Sequence, residues 1–343
     1  MIIDFTHKQG AHCESATTTN LLNHQGLNLT ESMVFGISGS LFFSYLPIVK
    51  LQFAPLFSYR SMPGQIFSRA NKYLGVTMKV EKFKNPVDSM NALDAQISKG
   101  NPVGLQVGIY HLAYWPPEYK QHYNMHNMVI YGKEDNEYLV SDTVLQEVQR
   151  ISYDNLMKVR YPKGPFSPNG KMYYPVNVPK NIDINAAIVK GLKKNIFEMT
   201  QIPLWFVGTK GIRFLSKKMV KWPERFGEKT ASYYLGQLLR MQELAGSGGA
   251  GHRFIYAVFL REAGEQLEKP KLIEISKKMT ETANLWRHFS ILGAKNCKFR
   301  GGIETSFEEL AKILCDIADR EDDIFKQLKM VSFNGNGRKS SMK

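Results

Sequence analysis

Near residue 182 the chain changes its period, and that change restricts the fold more than any other feature. Upstream, short apolar stretches of strand length alternate with short helical ones, punctuated by Gly and Pro. Downstream, long segments keep helical spacing to residue 329. Any sheet must therefore be built from the first half, while the second half packs helix on helix. At 343 residues the chain exceeds the usual size of one core. The expectation is an α+β protein with a sheet-containing domain over 1–178, a helical domain over 179–333 and a polar, disordered tail over 334–343.

In the first half, helices are expected from Cys13 to Leu22, from Pro63 to Gly75 and from Pro86 to Lys99. Thr17, Thr18 and Thr19 weaken the first of these on propensity alone. Thr30 and Glu31 open a further segment. Strands are expected over Val49–Phe57, Val76–Phe83, Val103–Tyr110, Met125–Tyr131, Glu137–Asp142, Gln146–Ser152 and Met172–Val178. In the second half, helices are expected over Asn185–Thr200, Ile212–Val220, Lys229–Leu244, Arg253–Leu267, Leu272–Phe289 and Phe307–Lys329.

Within this frame Cys13 stands out. It follows a polar loop containing Gly10 and opens a helical segment. A helix N-terminus stabilises a thiolate, the reactive form of the side chain. A thiol nucleophile also needs a base and a group to orient it. His126 and Asp142 supply these types, separated by a strand, a polar turn at Lys133–Asn136 and a second strand. Adjacent antiparallel strands bring such residues together. Cys13, His126 and Asp142 therefore form a candidate triad. Taken singly, each has an ordinary alternative: a small buried residue, a surface histidine, a turn former. The aromatic loop around Tyr114 and Trp115 is a candidate wall of a substrate pocket.

Other chemistries are weaker. His122 and His126 are four apart, but in a strand context that spacing is too long to share a metal, and no metal site is expected. The run from Gly246 to Arg253 either cradles a phosphate or is a turn between helices, and the turn is the commoner outcome. No phosphate-binding loop with Gly-Lys-Ser/Thr occurs, so an amide-forming reaction would need a preactivated acyl donor. Three cysteines do not make a disulfide framework, and a reducing, cytoplasmic setting is expected. No signal segment or membrane-spanning run is seen.

Charge is uneven. Residues 1–165 carry 15 Lys and Arg against 13 Asp and Glu, whereas 186–230 alone carry 10 against 3. Such a segment attracts acidic partners. Without a nucleic-acid motif, specific nucleic-acid binding is not expected. Lys193, Lys194, Lys217 and Lys218 are candidates for capturing an acidic protein.

The pattern Phe5-x-His7-x-x-Gly10-x-His12-Cys13-Glu14-Ser15, followed by Asn20-Leu21-Leu22, Leu29-Thr30-Glu31 and Phe35-Gly36, closely resembles the N-terminal domain of the butirosin-biosynthesis acyltransferase (BtrH-type) family. Gly246 to Ala263, with Phe254, Tyr256, Phe259 and Leu260, resembles the helical domain that follows in that family. The resemblance implies a papain-like cysteine-enzyme fold, similar to bacteriocin-processing peptidases. These share the sequence of His, apolar strand, Gly and Asp seen here as His126, Val129-Ile130, Gly132 and Asp142. It further implies transfer of an acyl chain from the phosphopantetheine arm of an acyl or peptidyl carrier protein to a small amine, with no bound cofactor. A papain-like relative joins carrier-bound chains to a diamine, releasing closthioamide, and the Lys-rich composition here is similar to that relative's. The oxyanion-hole Gln of the peptidases, six residues before the Cys, is replaced by His7. His7, Gln9 and His12 are therefore the oxyanion or positioning candidates, beside the backbone N–H of Cys13. The function expected is cysteine-dependent amide formation in natural-product biosynthesis. The rivals are a papain-like peptidase or amidase using the same triad, and a non-catalytic carrier-binding scaffold.

Overall fold

The computed structural model describes residues 1–51, 53–117, 120, 122–244, 247–297 and 305–333. Gly246 and the tail 334–343 lie outside the described residues.

Helix α1, Cys13–His24, is buried on all sides from Cys13 to Leu22. Its threonines are compatible with burial because Thr18 and Thr19 donate to the carbonyls of Glu14 and Ser15 at 2.7 and 2.8 Å, one turn back. Helix α2, Glu31–Ile37, is capped by Thr30, whose hydroxyl accepts from the Met33 N–H at 3.0 Å. The strand expected over Val49–Phe57 is instead the middle of a hairpin, β1 Leu41–Leu51 and β2 Ala54–Arg60. Strand-forming residues run through both arms. The turn falls where Phe53 takes a left-handed conformation, with φ 66°, and no Gly or Asn advertises it.

Helices α3 (Gln65–Leu74) and α4 (Pro86–Ile97) flank strand β3 (Thr77–Glu81). Strands β4 (Val103–Val107), β5 (His126–Glu134), β6 (Glu137–Ser141) and β7 (Gln149–Ser152) lead to α5 (Tyr153–Arg160) and β8 (Met172–Asn177). These strands form a six-stranded antiparallel sheet in the order β3-β8-β4-β5-β6-β7. Helix α5 was not legible in the sequence; it starts where Ser152 accepts from the Asn155 N–H. The second half holds α6 (Ile184–Ile196), α7 (Gly208–Met219), α8 (Trp222–Phe226), α9 (Glu228–Glu243), α10 (Arg253–Gln266), α11 (Pro270–Cys297) and α12 (Phe307–Met330). The observed class is α+β with a helical second half. Among the described residues, no helix is long and apolar enough to cross a membrane.

One apolar cluster fills the space between the sheet and α4 and α5, with Leu93, Leu105, Met128, Val140 and Leu156. The larger cluster draws on both sides of residue 178, joining Phe35, Phe43, Phe57 and Ile66 to Leu215, Phe259, Trp286 and Phe325. Helix α2 enters it so closely that a Cβ at Gly36 would stand 1.9 Å from the Phe259 ring. Arg253 and Glu321 are fully buried within the helical half. The guanidinium meets the carboxylate at 2.8 and 3.1 Å, donates to the carbonyls of Phe42 and Gly251, and shares Glu321 with the Trp286 indole N–H. Arg253 is thus consumed by α11, α12 and β1, which removes it from the phosphate-binding reading of the glycine-rich run.

Removing one partner would strand a buried charge. We expect Glu321→Ala to lower unfolding stability by about 3–5 kcal/mol, read as the shift in urea midpoint. A midpoint unchanged from wild type would contradict this role for the pair.

Candidate active site

The first residue of α1 is Cys13, so its N–H lies outside the helical hydrogen-bond ladder and the positive end of the helix faces its sulfur. The preceding loop is held in place by Glu31 at the start of α2. One carboxylate oxygen accepts from the Ala11 N–H at 2.7 Å, and the other accepts from the His12 N–H and the Ser15 hydroxyl, both at 2.8 Å. His12 is the N-cap of α1, its Nδ1 accepting from the Ser15 N–H. Glu14, one residue past the thiol, accepts from Arg60 and from the Phe67 N–H, each at 3.1 Å.

The imidazole and carboxylate come from the sheet. His126 begins β5 and Asp142 follows the end of β6, and β5 and β6 are hydrogen-bonded neighbours. The His126 Nε2 lies 3.0 Å from both oxygens of Asp142, and both residues are buried. That contact leaves Nδ1 as the nitrogen for the thiol. Asp142 Oδ2 also accepts from the Tyr114 hydroxyl at 3.1 Å and the Trp115 indole N–H at 3.0 Å, and Oδ1 accepts from the Val144 N–H. The Trp115 ring meets the imidazole edge-on, 5.2 Å between centroids.

The electrostatics follow from these contacts. Burial pushes the Cys13 thiol up, but the hydrogen bond and charge of His126, the Asn127 backbone and Arg60 bring it below its ordinary value. Burial pulls His126 down, yet the charge and hydrogen bond of Asp142, with Cys13 adding to them, raise it to about 10. Burial pushes Asp142 up, and the charge of His126 together with its hydrogen-bond donors brings it below the usual carboxylate range. The arrangement favours a thiolate–imidazolium pair. His12 is different: burial, then Arg60, His252 and His126, hold it well below the ordinary value, so it is neutral.

The structure thus brings Cys13, His126 and Asp142 together and redistributes the other candidates. His7 and Gln9 direct their hydrogen bonds to the segment that carries Asp142. His7 spans Ser141 (Nδ1, 2.7 Å) and the carbonyls of Leu145 and Gln146, and Gln9 donates to the Val144 carbonyl. Both brace the loop that carries Asp142. Tyr114 and Trp115, expected as pocket walls, spend their polar atoms on Asp142. His122 stacks on Tyr110 at 4.3 Å while His126 is committed to Asp142, so the two histidines are engaged apart. Among the described residues, no group of three or more His, Cys, Asp and Glu is placed to hold a metal. Lys193, Lys217 and Lys218 are exposed on α6 and α7, whereas Lys194 pairs with Glu198 at 3.1 Å. Sequence reasoning missed Glu31 and the Glu14–Arg60 pair. Only long-range packing brings these to the thiol. The glycine-rich run is also near: a Cβ at Gly248 would come within 2.9 Å of Ala11, and His252 meets the His12 ring edge-on at 5.2 Å.

A family model described as Butirosin biosynthesis protein H, N-terminal, matches residues 12–143, and one described as Domain of unknown function (DUF4872) matches residues 154–328, about half of the chain. Among solved structures, a protein described as a C39-like peptidase from Bacillus anthracis is similar at 13% identity and a TM-score of 0.36, over 52% of this chain and 98% of its own. No curated protein matches the sequence. In this chain a thiol at the start of a buried helix stands beside an antiparallel sheet that presents an imidazole and a carboxylate.

The ion pair has a pH signature. Alkylation of Cys13 by iodoacetamide should rise through an inflection below the ordinary thiol value of 9.0. Asp142→Asn lowers the imidazole's affinity for its proton, so the inflection should move up; an unmoved inflection would count against the coupling. Because His126 is raised in the folded state, its contribution to stability is complete below 6.5 and is lost as pH rises through about 10. Wild type should therefore lose more stability across that window than Asp142→Asn does.

Proposed function

The chain belongs to the family that joins the butirosin biosynthesis protein H N-terminal domain to this domain of unknown function, and on that premise we propose that it is a cysteine-dependent acyltransferase. It takes an acyl chain from a carrier-protein thioester and gives it to a small amine or diamine, forming an amide in natural-product biosynthesis. The observation that supports this reading is the buried pair of His126 and Asp142 beside a thiol at a helix start.

The Cys13 thiolate attacks the thioester carbonyl. The carrier's phosphopantetheine thiolate leaves with a proton from His126, and the acyl group stays on Sγ. The amine then attacks this acyl-enzyme and gives its proton to His126, and Cys13 departs as the amide forms. Asp142 holds the imidazole in the tautomer that presents Nδ1 to sulfur. Water is the competing acceptor. Trp115 and Tyr114, anchored on Asp142, cover the imidazole–carboxylate pair and help keep water from it. Exposed Lys193, Lys217 and Lys218 would attract an acidic carrier.

Incubation with an acyl-carrier thioester should add the acyl mass to Cys13, and an added diamine should discharge it as amide faster than water does. Cys13→Ala should take no label, and His126→Ala should lose roughly 10⁴-fold or more in turnover. Retention of amide formation by Cys13→Ala would refute the mechanism, and discharge only to the free acid would make the protein a hydrolase. Cys297→Ala and Cys315→Ala should behave as wild type.

Reversal of Lys193, Lys217 and Lys218 to Glu should raise the KM for the carrier-bound donor several-fold, roughly tenfold at low salt, and leave a small thioester mimic unaffected. Equal kinetics on the carrier-bound donor across a range of salt would remove these lysines from carrier capture.

A further inference from the structure

A tetrahedral intermediate on Cys13 needs hydrogen-bond donors for its oxygen. With His7 and Gln9 committed to the 141–146 segment and the His12 Nδ1 committed to capping α1 at Ser15, the Cys13 N–H needs a side-chain companion from elsewhere. Asn127 stands beside the sulfur. Its side-chain Nδ2 donates toward Cys13 Sγ across 4.0 Å and to the Met125 carbonyl at 3.2 Å. A carbonyl only accepts, so the Met125 contact fixes which end of the amide is nitrogen. The other end is fixed as well: Tyr173, buried in the sheet, donates its hydroxyl to Asn127 Oδ1 at 2.9 Å. Asn127 is 8% exposed. The amide is therefore held at both ends, and one N–H is directed at the sulfur through a loose contact.

We propose that the Asn127 side-chain amide, together with the Cys13 N–H, forms the oxyanion hole of this enzyme. When Sγ bonds to an acyl carbon, the carbonyl electron pair moves onto oxygen. That oxygen lies one covalent angle from sulfur, so a nitrogen 4.0 Å from Sγ is within reach of it at the roughly 2.7–3.1 Å typical of oxyanion donors. Collapse of the intermediate returns the pair to the carbonyl and expels the leaving thiolate, and Asn127 neither gains nor loses a proton. The loose contact to the resting sulfur suits the role, since a donor that binds the oxyanion more tightly than the ground state lowers the barrier. Asn127 follows His126 directly, so one strand end presents both the proton-transfer group and the oxyanion donor. Tyr173 is a positioning residue that acts through Asn127.

The assignment rests on Cys13 as the nucleophile but not on the natural donor, so the test uses two small probes on the full chain. Acetylation of Cys13 by p-nitrophenyl acetate passes through an oxyanion, whereas alkylation by iodoacetamide does not. Asn127→Ala should acetylate roughly 10²–10³-fold more slowly than wild type, while its alkylation rate stays within about threefold. Tyr173→Phe should show a smaller loss of the same kind, and it decides the matter if Asn127→Ala does not fold. An unchanged acetylation rate would overturn the proposal. So would a parallel fall of both rates, which would make Asn127 a determinant of thiolate formation or of the fold. Wild type that is acetylated by the ester but ignores a carrier thioester would defeat the acyl-transfer reading and leave the oxyanion assignment to be read from the variants as before.

Discussion

Glu31 sits at the start of one helix and satisfies the backbone at the start of another. Its two oxygens accept from the N–H groups of Ala11 and His12 and from the Ser15 hydroxyl. Those N–H groups belong to the loop that delivers Cys13, and when enclosed without partners they would oppose folding by an amount comparable to lost hydrogen bonds. Burial makes the carboxylate harder to ionise, and the three donors work in the other direction; the net result is a raised pKa. The direction in which α1 points its thiol therefore depends on where α2 stands.

Helix α2 stands where the second half of the molecule puts it. Gly36 faces the Phe259 ring, and Glu262 on α10 accepts from the hydroxyls of Thr30 and Ser32 at 2.6 and 3.0 Å. The glycine-rich run just before α10 reaches Ala11 and places His252 against His12 and, in parallel stacking, against Phe35. Gly248, Gly249, Ala250, Gly251 and His252 all have positive φ, a backbone path that is costly for Ala250 and His252 and is kept by the packing around it. In this way a segment far along the chain shapes the surroundings of the nucleophile without supplying a member of the triad.

What the sequence made legible were features with a period or a local cap. The long helices of the second half, the strands β4 to β8 and the Thr30 cap all announced themselves, as did the separation that brings His126 and Asp142 onto neighbouring strands. The hairpin of β1 and β2 did not, because its turn at Phe53 lacks turn residues and its tip is apolar, with Ile48 90% and Phe53 89% exposed. The roles of His7, Gln9, Tyr114 and Trp115 were also hidden. Each bonds to Asp142 or to the segment around it, and which atom it meets depends on the curl of the loop over 142–146 and on pairs far apart in the sequence. Asn127 carries no signal of its own beside His126; strand alternation assigns it to the face of α1, and the Met125 carbonyl together with Tyr173 from β8 explains why its amide is held still.

The larger apolar cluster has a further meaning for modularity. Phe35, Phe43, Phe57 and Ile66 precede the last strand of the sheet, yet they share one interior with Leu215, Phe259, Trp286 and Phe325. A cut at the end of β8 would separate two halves of a single hydrophobic interior and leave the inner faces of α2 and the hairpin in water. The nucleophile's half is thus not a transplantable cassette. Recombination that exchanged the helical half for one of different shape would have to rebuild the bed on which α2 lies, and so would retune the chemistry at Cys13 without altering a residue near it.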